Sequence, residues 1–598
     1  MNAPGYFPNE PTFRVQDLLF PAEGRPEDLY LRADPAPEPG PEGLRCAAGT
    51  RLDFGTWVNS FYLGFWAAHA PLPDLALRIS LTGTARLRVE WRLGEEAQCL
   101  AEKELEAAGE TYVLPLRPVA EEGRLALVVD CLGPCLLHDA QFVTGKAPQP
   151  VRLSVGICSF NRDAQLRETL RKLAAIRPAL PELAEVIVVN QGAALAPETL
   201  ALAGAAGARI LEQGNLGGAG GFARTMAEVL RSDPAPTHHL LMDDDITLDP
   251  RILCRLVDAL AQAGPDRALG GAMLETERPR VLHEAGARLQ PGWLVQSVGM
   301  GRSLVREPTL ALFDRVPEVS YNGWWFCAVP VAVMRAEGLP MPVFIRGDDI
   351  EYGSRIRAAG VPSVSVPGCS VWHDAFAAKA QPWLTYYDYR NLLINAALAP
   401  GLAPPPRPVD VLGAIFARLL CHQYRTAEAL QQAIWDFLAG PALLRGASVP
   451  GEADRLHAEL RRRFGQPDGV PTGEVAPPQP RPLPVIPASV PRAVLLFLAR
   501  FLAISAGIAR GRMPRHSLSP QEIQPASAGP GPCLQRADPE GKCCALLRPS
   551  RRHLWLGSLQ GLWCWGQYLL RYRASARAWR DGAGALRSAE AWEERFRG

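Results

Sequence analysis

From about residue 10 to 148, apolar and polar positions alternate in short runs such as LALRISL, ARLRVEWRL, TYVLPLR and RLALVVDCL, broken by Gly, Pro and acidic turns. A period of two with such frequent turn signals predicts antiparallel strands with one buried face, assembled as a β-sandwich. At about 151 the pattern changes. Longer apolar runs alternate with helical stretches: VRLSVGICSF, a helix through QLRETLRKLAAI, then EVIVVNQG, ARILEQGN and HHLLMDDD. Strands this continuously apolar must be covered on both faces, which predicts a doubly wound α/β sheet. Beyond about 400, APGLAPPPRPVD reads as a linker, and VLGAIFARLLCHQYRTAEALQQAIWDFLAG carries helical spacing.

Three regions follow: a β-sandwich over 1–148, an α/β domain over 149–402, and a helical region over 403–598. Within the last, 466–490 and 511–548 are rich in Pro, Gly and Ser and predict irregular chain. The longest apolar run, AVLLFLARFLAISAGIA, is interrupted by Arg500 and falls short of the roughly 20 residues a membrane span needs. It reads as a packed helix or one lying in an interface. The Trp- and Arg-rich stretch HLWLGSLQGLWCWGQYLLRYRASARAW is amphipathic and suits a membrane surface or a neighbouring helix.

Composition narrows the function classes. With 598 residues, 47% of them hydrophobic, the chain can fill several cores, about three or four domains by length. Formal net charge is +1, so no global field gathers nucleic acid. The start, MNAPGYFPNEPTF, has no basic segment followed by an apolar one, and the 13 cysteines show no paired metal spacing. Reduced thiols and a cytosolic protein are expected.

Candidate chemistry gathers where the strands end, since ligands of such sheets bind beyond the carboxyl ends of the strands. Asn161 and Arg162, Asn190, Asn215 and the triplet Asp243–Asp244–Asp245 all sit there. Alternation along a strand puts Asp243 and Asp245 on one side, as two oxygen ligands for a hard cation, with Asp244 on the other. Asp249 and Pro250 then read as N-cap and first residue of a helix. A second acidic group, Asp348, Asp349 and Glu351, precedes a helix, and His373 stands at a strand end, able to complete a site of oxygen and nitrogen ligands. Trp324 and Trp325 offer a flat apolar wall or a core contact. The run GAGGFA at 218–223 imitates a dinucleotide fingerprint, but it follows the third strand rather than the first and leaves the other acids unexplained.

Taken together, CSFNR, VVNQG, NLGGAGGFARTM, LLMDDD, HEAGARL, NGWWF, RGDDIEYGSR and VWH resemble the inverting family 2 glycosyltransferases of GT-A fold, and more closely the polymerising galactofuranosyltransferases. The resemblance implies a GT-A doubly wound mixed sheet at 149–402. It also implies Mn²⁺ or Mg²⁺ held by Asp243, Asp245 and His373 against a nucleotide-sugar diphosphate. Arg162, Asn215 and Asp243 would meet the nucleotide, with Asn190 near the uracil. The position of Asn190 carries Asp in that pattern; an Asn can still present its carbonyl to the base. Glu284 would bind acceptor hydroxyls, and Trp324, Trp325 and Glu351 would line the donor-sugar and acceptor pocket.

The implied reaction moves galactofuranose from UDP-galactofuranose to a growing cell-surface glycan on a lipid carrier. Departing UDP gathers negative charge that a divalent ion stabilises, and the attacking hydroxyl needs one carboxylate base. Asp349 is expected to be that base, with Asp348 beside it. The same resemblance implies a peripheral contact at the inner face of the plasma membrane; the charge balance argues against a nucleic acid partner, and a homo-oligomer stays open. Two alternatives stay open: another donor, UDP-galactose or dTDP-rhamnose, and a non-catalytic carbohydrate-binding or assembly protein.

Overall fold

In a computed structural model, the chain is described over residues 13–374, 381–446, 451–472, 486, 489–508, 514–520, 522–536 and 544–597. The N-terminal region is antiparallel, as its alternation requires. By hydrogen bonding it is one continuous nine-stranded sheet rather than two separate ones. Three long strands, Ala76–Leu93, Glu96–Pro115 and Arg124–Thr144, lie side by side. The shorter strands attach in turn along the other edge of Arg124–Thr144. Register shifts at Ser80/Leu81 and Gly83/Ala85 mark bulges, which bend a strand and increase its twist. Gly83, at φ +109°, is required there, because a side chain would strike the Pro134 carbonyl.

The second sheet carries the site. Its strands run in the order Ala208–Glu212, Leu183–Asn190, Leu153–Ser159, His238–Asp243, Phe326–Pro330, Ala268–Glu275, Ser363–His373 and Thr247–Leu248. The first four are mutually parallel and Phe326–Pro330 is antiparallel to both its neighbours, so the sheet is mixed. Strand order reverses beside Leu153–Ser159, whose neighbours on its two sides are Leu183–Asn190 and His238–Asp243. That reversal opens the crevice where such sheets bind ligands, and Asp243 and Arg162 border it. Val155, Ile157, Val186, Val188, Leu240 and Met242 are fully buried, as the continuous apolar runs predict.

The expected start of the helix after the acidic triplet moves by one residue. The helix is Arg251–Ala263 with Pro250 as N-cap. Asp249 lies just outside, accepting from the Arg251 backbone N–H and guanidinium and from the Tyr30 hydroxyl. It thereby ties this corner to the N-terminal sheet. Asp258 and Arg14 pair across the same junction.

The C-terminal region is helical. Pro382–Leu398, Pro408–Leu420, Tyr424–Ala439 and the 37-residue Arg551–Arg587 bury Ile394, Ile415, Ile434, Phe437 and Trp579 together. The stretches expected to be irregular lie partly outside the described residues. Their described parts contribute to a small four-stranded sheet, Val470–Thr472, Ser517–Leu518, Cys533–Arg536 and Cys544–Leu547.

Candidate active site

Strand His238–Asp243 ends at the crevice, and its final residue lies in register with Cys158 of the first parallel strand. From there the chain turns through Asp244 and Asp245. Among the described residues, Asp243, Asp245 and His373 form the one group able to hold a metal ion, their ligand atoms all within 4.8 Å of one another. His373 reaches this corner because Ser363–His373 crosses the sheet fully buried and releases its last side chain toward the triplet. Its Nδ1 lies 2.8 Å from the Asp374 carbonyl. A proton on Nδ1 leaves Nε2 as the ligand nitrogen, and Nε2 stands 2.9 Å from Asp245 Oδ1. Burial lowers the His373 pKa, but the bond to Asp245 and the charges of Asp245 and Asp243 raise it further, to a net rise. Arg162 pairs with the other oxygen of Asp245, Oδ2. Two carboxylates and an imidazole, with a guanidinium at the rim, fit a divalent cation carrying an anion.

Asp244 points elsewhere, as strand alternation predicts. It is buried, its Oδ2 has no hydrogen-bond partner, and burial pushes its carboxyl up to about 7.

The second acidic group opens helix Asp348–Ala358. Gly347, at φ +78°, turns the chain into that helix from the Phe344–Arg346 segment. Burial raises Asp348 to about 8 and Asp349 to about 7; the neighbouring Asp349 adds to the first, and the charges of Glu284 and Asp243 add to the second. The charge of Asp243 adds to both rises, which puts the second acidic group within electrostatic reach of the first. Asp349 Oδ1 accepts the Ile350 N–H at 2.8 Å, and the Arg346 guanidinium partly offsets the rise.

Glu284 closes the arrangement. It is buried, raised to about 7 by that burial, and held through one oxygen by the Ser297 hydroxyl while its Oε1 takes no partner. Ser297 comes from the short hairpin Ala287–Gln290/Leu294–Ser297, and no signal in the sequence marks it.

Other expected site residues sit differently. Glu351 does not join the acidic group. Arg355, Arg587 and the Met341 N–H occupy both its oxygens. Burial would raise it, but the two guanidiniums win and hold it below the ordinary carboxylate range. Glu351 follows Asp349 by two residues, about 200° around the helix, which turns its side chain away from Asp349 to fasten the C-terminal helix. Trp324 and Trp325 are 5% and 7% exposed. Trp324 packs edge-on against Phe222 and Tyr352, and the Trp325 ring lies in the other core with Nε1 on the Gly271 carbonyl. Both rings belong to buried cores.

Asn215 accepts the Gly217 N–H and donates to Asp454 of helix Glu452–Phe464, which brings the C-terminal region to the edge of the crevice. Asn190 is buried, its amide donating to Glu212 at 2.8 Å and to the Ala193 carbonyl. Gln191, which the sequence reading passed over although it adjoins Asn190, spans the Gly217 carbonyl and the Leu216 N–H. It fixes the start of helix Gly217–Val229 at the crevice.

A family model described as "Glycosyltransferase like family 2" matches residues 148–386. The galactofuranosyltransferase GlfT2 of Mycobacterium tuberculosis is 29% identical over 625 residues, 96% of each chain. Its namesake from Mycolicibacterium smegmatis is 30% identical over 459 residues, 71% of each. Among solved structures, the mannosyltransferase PcManGT of Pyrobaculum calidifontis, in complex with GDP-Man and Mn²⁺, is 17% identical. That match has a TM-score of 0.30 and covers 60% of this chain and 83% of that one.

Proposed function

The chain belongs to glycosyltransferase family 2, and from that membership and the two acidic corners within electrostatic reach of one another we propose a metal-dependent inverting transfer of galactofuranose from UDP-galactofuranose to a growing, lipid-linked glycan. The observation that carries it is the Asp243–Asp245–His373 donor set within electrostatic reach of Asp349. The galactofuranosyl part is supported by the similarity to the two GlfT2 proteins along most of the chain.

Asp243, Asp245 and His373 would hold Mn²⁺ or Mg²⁺, which as a Lewis acid stabilises the charge of a departing diphosphate. Arg162 adds a guanidinium on the same side, suited to phosphate oxygens. No protein acid is then needed for UDP. On the other side the acceptor oxygen bonds to the anomeric carbon as the bond to UDP breaks, and the hydroxyl proton passes to Asp349. Burial and the charge of Glu284 raise Asp349 above the ordinary carboxylate range, which strengthens it as a proton acceptor. Glu284, with one oxygen unused, can accept from a second acceptor hydroxyl and so orient the first. Direct displacement inverts the anomeric centre.

A peripheral membrane contact is supported by the C-terminal helices. Val494, Leu495, Leu498 and Leu502 of Val490–Ala506 are half to two-thirds exposed, as are Trp555, Leu559 and Trp563 of Arg551–Arg587, and Leu570 is more so. The Phe501 and Trp555 rings meet at 4.8 Å, making one surface of the two helices. Neither Val490–Ala506 nor 551–580 contains an acidic residue, while arginines are frequent in the second. An apolar face with a cationic border suits an anionic bilayer surface. Among the described residues no helix is long and apolar enough to cross a membrane.

The test is a panel of UDP-galactofuranose, UDP-galactose and dTDP-rhamnose, offered with a short galactofuranosyl acceptor in Mn²⁺ and in chelator. Metal-dependent release of UDP from UDP-galactofuranose alone is expected. Faster turnover of either other donor would replace the sugar assignment.

A further inference from the structure

Strand ends in the second sheet form a row. Asp243 lies in register with Cys158, Ser159 with Asn190, and Asn190 with Glu212. Glu212 therefore stands three strand spacings from the cation corner, about 14 Å at about 4.8 Å per strand. Glu284, on a strand paired with Ala268–Glu275, lies on the other flank. A nucleoside diphosphate whose phosphates meet Asp243 and Asp245 has the Leu153–Ser159, Leu183–Asn190 and Ala208–Glu212 ends in which to lay its nucleoside.

Asn190 has little left to offer a base. Its carbonyl oxygen accepts the Gly192 N–H at 3.3 Å, and its amide donates to Ala193 and to Glu212 Oε2. The partner it holds is differently placed. Glu212 is exposed, and among the described residues its other oxygen, Oε1, takes no hydrogen bond. Nearby, Asn161 at φ +56° binds the Ala193 N–H, stapling the loops after the first two parallel strands. Phe160, 46% exposed, offers a flat apolar surface at the same end.

On the nucleotide-sugar reading above, we infer that Glu212 is the base-reading residue of this chain, its free oxygen accepting one ring N–H while Asn190 fixes its orientation. One available carboxylate oxygen matches a base with a single ring N–H between carbonyls, as in uracil. Cytosine has an acceptor at that ring position and would face the carboxylate lone pair to lone pair. Guanine presents two adjacent N–H donors and would call for both oxygens.

Titration calorimetry of the full chain with UDP, CDP and GDP in saturating Mn²⁺ tests this, comparing wild type with Glu212→Gln and Glu212→Asp. Wild type should prefer UDP to CDP by about tenfold or more, the worth of one charge-assisted hydrogen bond. Glu212→Gln should lose that preference, chiefly through weaker UDP binding, and Glu212→Asp should keep part of it. Because Glu212 is exposed, unchanged thermal melting is expected to accompany the loss. An unchanged UDP-to-CDP ratio in Glu212→Gln overturns the assignment and leaves the transferase reading standing. Tightest binding of GDP overturns the single-donor match, and a wild type that binds no nucleoside diphosphate overturns the nucleotide reading along with it.

Discussion

Replacing Asp349 by Asn removes the proposed base and little else. The side chain is half-buried at the start of its helix, one oxygen held by the Ile350 N–H, with the charges of Glu284 and Asp243 acting on it. An amide keeps the size and can still accept from Ile350, and it relieves the like-charge strain, so the fold should survive. What it cannot do is take the acceptor proton. Loss of a positioned general base costs about 10²–10⁴ in rate, about 3–5 kcal/mol of barrier. UDP release in an enzyme-coupled assay should fall by that factor, while calorimetry shows UDP–Mn²⁺ binding within a few-fold of wild type. The pH profile gives a second reading. A base raised to about 7 is protonated below that value, so wild-type kcat/KM should fall as pH drops through about 7, not through the ordinary carboxylate range near 4. Activity within tenfold of wild type in the Asn variant would refute the base assignment. Loss of UDP binding would move Asp349 to the donor side.

Other expectations address separate links. Asp245→Ala and His373→Ala should each weaken Mn²⁺ binding by tenfold or more, read by calorimetry; unchanged metal affinity would dissolve the donor set. The metal-free protein should melt at a higher temperature at about pH 6.5 than at about pH 8.5. Asp244, Asp348, Asp349 and Glu284 are raised to between about 7 and about 8, so over this range the folded state binds more protons than the unfolded chain and stability is lost as pH rises. Saturating Mn²⁺ should shrink that difference. Glu351→Ala removes the carboxylate that Arg355 and Arg587 share, a loss of about 3–5 kcal/mol; hydrogen exchange should report it as faster opening around residues 587–597. Replacing Trp563 and Leu570 together by Ser should abolish sedimentation with anionic vesicles and leave turnover of a short soluble acceptor unchanged.

Periodicity made the α/β core legible, because strands covered on both faces leave unbroken apolar runs such as EVIVVN and HHLLM. Two acidic corners could be found from residue type and strand position alone. Side-chain direction at short range could not. Glu351 follows Asp349 by two residues, yet helical geometry sends it to Arg587, more than two hundred positions along the chain. Trp324 and Trp325 are equally apolar on paper, and only the packing of Phe222, Tyr352 and Gly271 decides that both rings belong to cores. Ser297 and Glu212 matter through partners that strand register supplies, and register between distant strands has no local signature. The small sheet near residue 533 escaped for a related reason. Its strands are two to four residues long and set among Pro and Gly, too short for alternation to be read.

The central claim is displacement at the anomeric carbon between a cation-bound UDP and a carboxylate base. Product analysis by nuclear magnetic resonance, after incubation with UDP-galactofuranose, Mn²⁺ and a short galactofuranosyl acceptor, tests it most directly. The account predicts an extended acceptor whose new linkage has the anomeric configuration opposite to that of the donor. A linkage of retained configuration, or no extension while UDP is released to water, would contradict it.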